Sequence, residues 1–173
     1  MSRVPGVEIG PLRWWQIDAC ARVDAEVFPQ TSWSVETFWT ELARVPDSRH
    51  YLVAVETSDP ATAAAGADPR VVGYAGLAAI PPEADVQTIA VSPDAQGLGL
   101  GAALLDELLD EAERRDCTTV MLEVRADNER AIALYRRREF ELLSSRRDYY
   151  GPGLDALIMR RRVSGAEEVG GDE

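Results

Sequence analysis

The sequence contains no lysine, because all 18 of its basic residues are arginine. This absence excludes a Schiff-base lysine, the lysine of a Walker nucleotide loop, and acetylation of the protein's own lysines. Histidine is also scarce: His50 is the only one, and the two cysteines, Cys20 and Cys117, lie far apart without a partner motif. Zinc sites, Cys–His pairs and Ser–His–Asp triads therefore have only one histidine to draw on, and we predict no metal and two buried free thiols.

Long apolar segments are missing too. The longest apolar run, residues 71–80, is too short to span a bilayer, and no stretch has the pattern of a signal peptide. Thirty acidic residues outnumber the basic ones and give a net charge of −12, which disfavours nonspecific binding to nucleic acid and attracts basic partners. We expect a cytoplasmic protein that binds neither membranes nor nucleic acid directly.

The 173 residues have an ordinary globular composition, with 46% hydrophobic and 28% charged residues. The order of predicted elements, β-α-α-β-β-β-α-β-α-β-β, indicates a mixed α/β domain. The first helix is predicted over about residues 13–27 with Trp14 on its apolar face, and Ser34 is predicted to cap the second. Gly73 and Gly76 predict a bulge or close packing in a strand, and the charged residues of 106–115 predict a solvated outer face on the third helix. We predict one domain over residues 1–163, with a mobile hairpin loop at 58–69. The acidic, glycine-rich segment 164–173 is predicted to be a disordered tail.

The most informative stretch reads as strand, turn, glycine loop and helix. Residues 86–91 are apolar and β-branched enough for a mostly buried strand, and the segment 92–94 with its proline breaks that strand. Gly97, Gly99 and Gly101 follow, and a glycine loop that opens a helix offers free N–H groups and the positive end of the helix dipole to a pyrophosphate. The helix is predicted from apolar residues at helical spacing, namely Leu100, Ala103, Leu104, Leu108 and Ala112.

Three interpretations of the loop remain open at this point. Gly97-x-Gly99-x-x-Ala102 fits a Rossmann dinucleotide loop, whereas Gln96-x-x-Gly99-x-Gly101 fits the coenzyme A loop of the GNAT superfamily of N-acetyltransferases. A Rossmann strand runs straight into its first glycine, but five residues intervene here, and the nearest acidic candidate on a strand, Glu123, lies 26 positions beyond Gly97. This ranks the Rossmann loop below the coenzyme A loop; a plain tight turn is the third interpretation.

A second motif sharpens the resemblance. Leu122-Glu123-Val124-Arg125-Ala126-Asp127-Asn128, followed by Ala131-x-x-Leu134-Tyr135, accompanies Ile89-Ala90-Val91 and the glycine loop. Together these motifs resemble the ribosomal-protein alanine N-acetyltransferase branch of the GNAT superfamily. The resemblance is strong over residues 86–160 and weaker at Phe28-Pro29 and Trp33-Ser34. It implies an α/β fold with a mixed, mostly antiparallel central sheet, splayed central strands and flanking helices.

The resemblance also implies acetyl-CoA as cosubstrate and a set of residues that hold it. Backbone groups of one strand would bind the pantetheine arm and the thioester carbonyl, the N–H groups of the loop would cradle the pyrophosphate, and Asn128 would touch the cofactor arm. The implied residues are Ile89, Ala90, Val91, Gln96, Gly97, Leu98, Gly99, Leu100, Gly101, Ala102 and Asn128. The acceptor would be a protein N-terminus, by resemblance the alanine of a small-subunit ribosomal protein, in a groove formed by Trp33, Tyr149 and Tyr150.

The catalytic roles implied by the resemblance fall on Glu123 as general base and Tyr135 as general acid. An amine attacks a thioester directly, so no protein nucleophile is required. Glu123 is expected to be partly desolvated on a central strand, which would make it a better base. An N-terminal α-amine with a pKa of ~8 is on the order of 3 kcal/mol easier to deprotonate near neutral pH than a lysine amine at ~10.4, so one carboxylate suits it.

Each of these residues also has a purely structural interpretation. A glutamate in an apolar strand commonly faces solvent, Tyr135 has the helical spacing of a core residue, and Asn128 is a good helix N-cap. The aromatic cluster of Trp33, Phe38 and Trp39 is predicted to be core rather than a substrate wall. The arginine clusters at 136–138, 146–147 and 160–162 are predicted to be solvated, with a cofactor phosphate or a ribosomal partner as the alternative.

The chain departs from the family pattern at two points. Glu139 stands where the family usually has a helix-ending glycine, which implies either local strain or a different exit from the helix near Tyr135. The glycine loop carries no basic side chain, so phosphate binding must rest on backbone N–H groups. Two alternative functions remain open, namely acetylation of lysine or small amines, and a non-catalytic coenzyme A sensor.

Overall fold

The computed structural model describes residues 4–57 and 69–163. Most of the predicted hairpin loop and all of the predicted acidic tail lie outside the described residues. The predicted order of strands and helices is confirmed. The strands are β1 (Val7–Pro11), β2 (Arg49–Glu56), β3 (Val71–Ile80), β4 (Glu83–Val91), β5 (Thr119–Arg125), β6 (Glu141–Arg146) and β7 (Ala156–Arg162). The helices are α1 (Ile17–Val27), α2 (Val35–Leu42), α3 (Leu100–Arg114) and α4 (Glu129–Arg136).

The strands follow the order β1-β2-β3-β4-β5-β7-β6 in a mostly antiparallel sheet, which confirms the predicted α/β class. The chain divides into two compact units. Of the described residues, the first unit comprises 4–57, 69–78 and 86–111, and the second comprises 79–85 and 112–163. Among the described residues, no helix combines the length and the apolar character that crossing a membrane would need.

Helix α1 of the first unit buries a stripe formed by Ile17, Cys20 and Val23. The sequence predicted one helix beginning at residue 13 with Trp14 on its apolar face, and this prediction is wrong. Trp14 belongs to a separate 3-10 turn, Trp14–Gln16, and its side chain is exposed. A 3-10 turn has three residues per turn, so the angular position of Trp14 does not follow from the α-helical spacing of the residues after it.

Helix α2 begins as predicted, with Ser34 accepting a hydrogen bond from the N–H of Thr37 at 3.2 Å. Phe38 is buried and contacts Tyr74 and Trp33, with ring centroids 5.2 and 5.6 Å apart. The prediction of an aromatic core is therefore confirmed for Phe38 but wrong for Trp39, which points to solvent.

Strands β2 and β3 pack a tyrosine ring of β2 against a glycine of β3. Tyr51 lies opposite Gly76, and a Cβ added at Gly76 would lie 2.2 Å from the Tyr51 ring. A side chain there would displace the ring from the core, so the close packing predicted for this glycine is confirmed.

Helix α3 buries all five of its predicted apolar positions. Glu111 is an exception to the solvated outer face predicted for the second half of this helix. Its side chain is buried, and Oε1 lies 3.6 Å from Nδ1 of His50, the single histidine of the sequence. Buried carboxylates need such a partner, and helical spacing alone does not reveal one on another element.

In the second unit, β7 lies between β5 and β6, with Glu123 opposite Ile158 and Leu122 opposite Met159. Strand β5 alternates regularly, so that Val120, Leu122 and Val124 are buried while Glu123 between them faces outward. This alternation fixes the direction in which the predicted catalytic carboxylate points.

Candidate active site

The glycine loop of the first unit begins from a fixed point at the end of β4. Ser92 is buried, and both its backbone N–H and its Oγ donate to the carbonyl oxygen of Val72, at 2.9 and 3.1 Å. Gln96 then reaches back and donates from Nε2 to the carbonyl oxygen of Val91 at 3.0 Å. These bonds tie the loop to β3 and β4, so the loop is held at both of its approaches.

Gly97 and Gly99 have φ angles of 87° and 84°, in the left-handed region that glycine adopts freely. A Cβ added at Gly99 would meet no atom within 4 Å, so this position requires glycine for its backbone conformation rather than for space. Leu98 between the two glycines is exposed. The loop thus presents backbone to its surroundings at two positions.

Helix α3 starts immediately after these glycines. The N–H of Ala103 donates to the carbonyl oxygen of Gly99 at 3.0 Å, as the first bond of the helix ladder. The N–H groups of Leu100, Gly101 and Ala102 therefore lie in the first turn and have no acceptor within the helix. With the positive end of a 15-residue helix behind them, they fit an anionic group such as a pyrophosphate.

The three predicted cofactor-contact residues of β4 differ in burial. Ala90 is fully buried, whereas Ile89 and Val91 are half-buried, so the prediction of a mostly buried strand is only partly right. Gly73 of β3 leaves room for the carbonyl group of Ala90, because a Cβ at Gly73 would lie 2.9 Å from the Ala90 carbonyl oxygen. The backbone of β3 at Gly73 therefore approaches the backbone of β4 closely at Ala90.

Two further residues of β4, which sequence reasoning missed, belong to polar networks. Gln87 accepts from the hydroxyl of Tyr51 at 2.7 Å, and Thr88 has its Oγ1 3.3 Å from the hydroxyl of Tyr74. Tyr51 and Tyr74 both belong to the core cluster that includes Phe38. The side chains of Gln87 and Thr88 thus both end at tyrosine hydroxyls of this core cluster.

Asp24 on α1 is a buried carboxylate that the sequence analysis did not single out. It accepts hydrogen bonds from the hydroxyl of Tyr74 and, at 2.5 Å, from the backbone N–H of Trp33. Burial raises the pKa of Asp24, and it also raises the pKa of the neighbouring Cys20 to about 12. One signal was available, because Asp24 follows Ile17 and Cys20 at helical spacing on the apolar stripe of α1.

The bond from Trp33 ties the connection between α1 and α2 to the core. The Trp33 ring is half-buried and packs against Phe38 and Tyr51, with centroids 5.6 and 6.4 Å away. The residue predicted to line the acceptor groove is therefore anchored through both its backbone and its ring.

A second carboxylate, Glu41 on α2, lies beside the same part of β4. Arg49 donates to Glu41, and Gln87 donates from Nε2 at 3.2 Å. Partial burial acts in the opposite direction, but these hydrogen bonds and the charge of Arg49 lower the pKa of Glu41. Glu41 is therefore a charged, paired residue at neutral pH.

Glu123 in the second unit does not have the desolvated surroundings that the sequence analysis expected. Its residue is exposed, and Oε2 accepts from Nη1 of Arg146 at 3.0 Å. The Arg146 guanidinium also lies 5.3 Å from the centre of the Tyr149 ring. Glu123 is exposed because it lies on the outward face of β5, whereas the flanking Leu122 and Val124 face the core.

Tyr135 on α4 is buried and packs against Phe140, with ring centroids 5.9 Å apart. Burial raises the pKa of Tyr135 to about 12, and the nearby Tyr150 adds to the shift. The tyrosine stays protonated at every physiological pH, so it can donate a hydrogen bond but is a weak acid.

The turn after α4 contains the predicted strain. Glu139 has a φ of 65°, and the N–H of the following Phe140 donates to the Tyr135 carbonyl oxygen at 3.1 Å. This geometry closes the helix as a glycine normally would, and it confirms the strain expected from a glutamate at this position.

The remaining predicted residues of the second unit are exposed or half-buried. Asn128 is the N-cap of α4, because its Oδ1 accepts from the N–H of Ala131 at 3.1 Å. Tyr149 and Tyr150 contact each other edge to face at 5.1 Å, and the charge of Glu123 contributes, after burial, to a raised pKa of Tyr150. This unit thus brings Glu123, Tyr149 and Tyr150 together around Arg146.

The chain matches the model of the acetyltransferase (GNAT) family over residues 15–140. The chain belongs to the GNAT family. It is accordingly an acetyltransferase, and the matched span includes the glycine loop, Glu123 and Tyr135.

The GNAT relatives include protein N-acetyltransferases. The chain is 39% identical over 161 residues to the N-alpha-acetyltransferase RimI of Mycobacterium tuberculosis, which covers 90% of this chain and 92% of that protein. The crystal structure of the ribosomal-protein-S18-alanine N-acetyltransferase from Escherichia coli superposes with a TM-score of 0.77 at 31% identity, covering 94% of this chain and 97% of that one. Both of these similar proteins are named as N-acetyltransferases.

One relative is much longer than this GNAT chain. An uncharacterized protein of Mycobacterium leprae, ML0378, is 40% identical over 163 residues, but the chain spans only 41% of its length. Within residues 4–57 and 69–163, no group of three or more histidine, cysteine, aspartate or glutamate side chains is arranged to hold a metal ion.

Proposed function

We propose that this protein is an acetyl-CoA-dependent Nα-acetyltransferase whose acceptor is the N-terminal alanine of a small-subunit ribosomal protein. Acetyl-CoA as the cosubstrate is supported by the exposed glycine loop that opens α3. This loop offers backbone donors and the positive end of a helix dipole but no basic side chain. The acceptor is supported by the similarity to the Escherichia coli enzyme named for ribosomal protein S18 alanine.

In this proposal, acetyl-CoA supplies the activated thioester. The N–H groups of residues 97–102 would bind its pyrophosphate, backbone groups of Ile89, Ala90 and Val91 its pantetheine arm, and Asn128 would contact the same arm. The Asn128 Oδ1 already caps α4, so the side-chain amide N–H groups are the part that suits this contact. Gln96 would support cofactor binding indirectly, because its hydrogen bond to the Val91 carbonyl oxygen holds the glycine loop in place.

Glu123 is proposed to take the proton from the acceptor amine, directly or through water. The amine nitrogen then bonds to the acetyl carbon while the carbon–sulfur bond breaks, and Tyr135 gives a proton to the departing sulfur. Arg146 affects the first step because it donates a hydrogen bond to the Glu123 carboxylate at 3.0 Å and so orients that carboxylate. Trp33, Tyr149 and Tyr150 are proposed to contact the acceptor peptide.

Substitution of the proposed base and acid tests these roles. We expect Glu123→Gln to lower kcat about 100-fold and Tyr135→Phe to lower it by a similar factor, as is usual for general acid–base groups. Glu141→Gln, at an exposed position on β6 of the same unit, is the matched control and should leave kcat unchanged. Unchanged turnover in Glu123→Gln would mean that another group is the base.

The acceptor class is tested with two peptides and a measurement of coenzyme A release. One peptide has a free N-terminal alanine and no lysine, and the other has a blocked N-terminus and one internal lysine. We expect release with the first peptide alone. Release with the second alone would support the lysine or small-amine alternative, and acetyl-CoA binding without release from either would support the sensor. The expected site of this reaction is the cytoplasm.

A further inference from the structure

Three tryptophan side chains form an exposed cluster in the first unit. Trp14 and Trp15 come from the 3-10 turn before α1, and Trp39 comes from α2, with exposed fractions of 61%, 62% and 48%. The Trp14 ring stacks on Trp39 at 6.3 Å with 25° between the planes, and it meets Trp15 edge to face at 5.6 Å. We call these three residues the indole patch.

The indole patch contributes little to the packing of the core. The core cluster of this unit contains Phe38, Tyr51 and Tyr74 but none of the three patch residues. Tryptophan is highly buried on average, and contiguous exposed aromatic surface commonly marks a binding site. Aromatic residues are also enriched at protein interfaces, where tryptophan is among the commonest energetic anchors.

Carboxylates border the indole patch on both of its elements. Asp18, in the first turn of α1, lines the same cavity as Trp15, and Glu36, in the first turn of α2, lies three residues before Trp39 on the same helix. Asp18 and Glu36 are both exposed, and hydrogen bonds from Glu36's own backbone N–H and from Ser34 lower the pKa of Glu36, so it is ionised at neutral pH. Basic residues also lie nearby, namely Arg13, next to Trp14, and Arg22, which lines a cavity together with Trp15 and Asp18.

The combination of indole faces and carboxylates favours a cationic occupant. Indole is the best of the natural rings at attracting a guanidinium or ammonium group over its face, and the net charge of −12 draws such groups toward the chain. The chain's own C-terminal segment is acidic by sequence and does not complement this surface. A second copy of the chain carries the same negative charge and is repelled at long range.

A nearby cavity was considered as an alternative site. It has a volume of about 500 Å³ and shares Trp15 and Asp18 with the border of the indole patch. Its walls carry charges of both signs, including Arg22, Glu26 and Arg70, so they do not select a ligand charge. The indole patch, unlike the cavity, therefore favours ligands of one charge.

We propose that the indole patch binds an arginine- or lysine-bearing segment of the acceptor protein, separate from the N-terminus that is acetylated. The identity of the partner as the acceptor rests on the proposed function, whereas the binding chemistry does not. The cationic side chains lie over the indole faces, and Asp18 and Glu36 pair with them at the edge.

Binding is tested with peptides that cannot react. One short peptide has a blocked N-terminus and several arginines, and the other has glutamine at each arginine position. We expect the wild-type protein to bind the arginine peptide at least about tenfold more tightly by calorimetry, with affinity falling as salt is added. Since the N-terminus is blocked, binding is measured whether or not the protein is an Nα-acetyltransferase.

Matched variants separate attraction by the ring faces from simple apolar contact. The double variant W14L/W39L keeps apolar surface but removes the indole rings, and we expect about three- to tenfold weaker binding of the arginine peptide. W14F/W39F should recover part of the loss, because phenylalanine keeps a weaker aromatic face. D18N/E36Q should weaken binding and R13Q should strengthen it, while I80A, which alters a side chain that is 65% exposed in the second unit, should have no effect.

Three results would overturn the proposal. The first is equal affinity of the wild type for the arginine and glutamine peptides. The second is an unchanged affinity in W14L/W39L. The third is a wild-type dimer in sedimentation that W14L/W39L converts to a monomer, since the indole patch would then bind a second copy. Failure of the acetylation assays with an intact arginine preference would contradict the proposed function and leave the cationic site standing.

Discussion

Glu139 takes the left-handed backbone conformation that the end of α4 requires, although it carries a side chain that disfavours it. A left-handed conformation costs a residue with a Cβ roughly 1–2 kcal/mol, whereas glycine adopts it freely but loses more entropy on folding. Arg161 lies 3.7 Å from the Glu139 carboxylate, and this exposed ion pair offsets little of the strain. Replacement of Glu139 by glycine is therefore expected to stabilise the folded protein.

We expect Glu139→Gly to raise the free energy of unfolding by about 0.5–1 kcal/mol, as the difference between relieved strain and added chain entropy. The measurement is urea unfolding followed by circular dichroism. Glu141→Gly, two residues later within β6, is the matched control and should lower stability by a similar amount, because glycine weakens a strand. Destabilisation by Glu139→Gly would contradict the strain inferred from its φ of 65°.

Asp24 is expected to give the stability of the protein a pH dependence of unusual sign. Burial raises its pKa above that in the unfolded chain, so its favourable contribution is full below pH ~4 and is lost as the pH rises through the folded-state pKa. Relative to Asp24→Asn, which is neutral throughout, the wild type should lose stability as the pH increases from about 4.

Urea unfolding of the wild type and Asp24→Asn at several pH values between 4 and 8 measures this difference. Asp18→Asn, at an exposed site on the same helix, is the control and should follow the wild type. A wild-type advantage that grows with pH would show that the hydrogen bonds from Tyr74 and Trp33 outweigh the cost of burying the charge.

At the scale of elements, the strands and helices followed from periodicity, but the contacts between them did not. The apolar spacing of α3 predicted all five buried positions, and the Ser34 cap predicted the start of α2. The network of Gln87, Tyr51 and Glu41 joins three elements that are far apart in sequence. No local pattern contains such a contact, because it depends on how the elements pack.

Gly73 illustrates this dependence and yields a prediction. A Cβ at Gly73 would lie 2.9 Å from a backbone oxygen of β4 and 3.5 Å from two leucines of α3. We expect Gly73→Ala to lower the free energy of unfolding by about 1–3 kcal/mol, since backbone atoms of β4 would have to shift. Acetyl-CoA binding should weaken as well, because the displaced oxygen belongs to Ala90.

Two matched glycines serve as controls, each measured by thermal unfolding and acetyl-CoA titration. Gly10→Ala meets no atom within 4 Å and should leave stability unchanged or raise it slightly. Gly99→Ala also meets open space, but its φ of 84° makes it strained, so it should lose stability and cofactor affinity without a steric clash. Equal behaviour of Gly73→Ala and Gly10→Ala would contradict the close approach at Ala90.

At the scale of the whole molecule, the two compact units carry different parts of the predicted site. The first holds the glycine loop, the contact segment of β4 and Trp33, and the second holds Glu123, Asn128 and Tyr135. Spacing along the chain identified both sets, since each motif is local. The surroundings of each side chain are a tertiary property, and for Glu123 the expected desolvation was wrong.

The sequence by itself determined the order of the elements, the glycine loop and its helix, the cap of α4, and the strain at Glu139. These features depend on residues within a few positions of one another, where backbone sterics and hydrogen bonding act directly. Only the tertiary structure decided that Asp24 and Glu111 are buried, that Arg146 pairs with Glu123, and that three tryptophans meet at the surface. Burial and pairing are set by elements that pack together from distant parts of the chain. The periodicity of one short segment does not specify which other segment will pack against it.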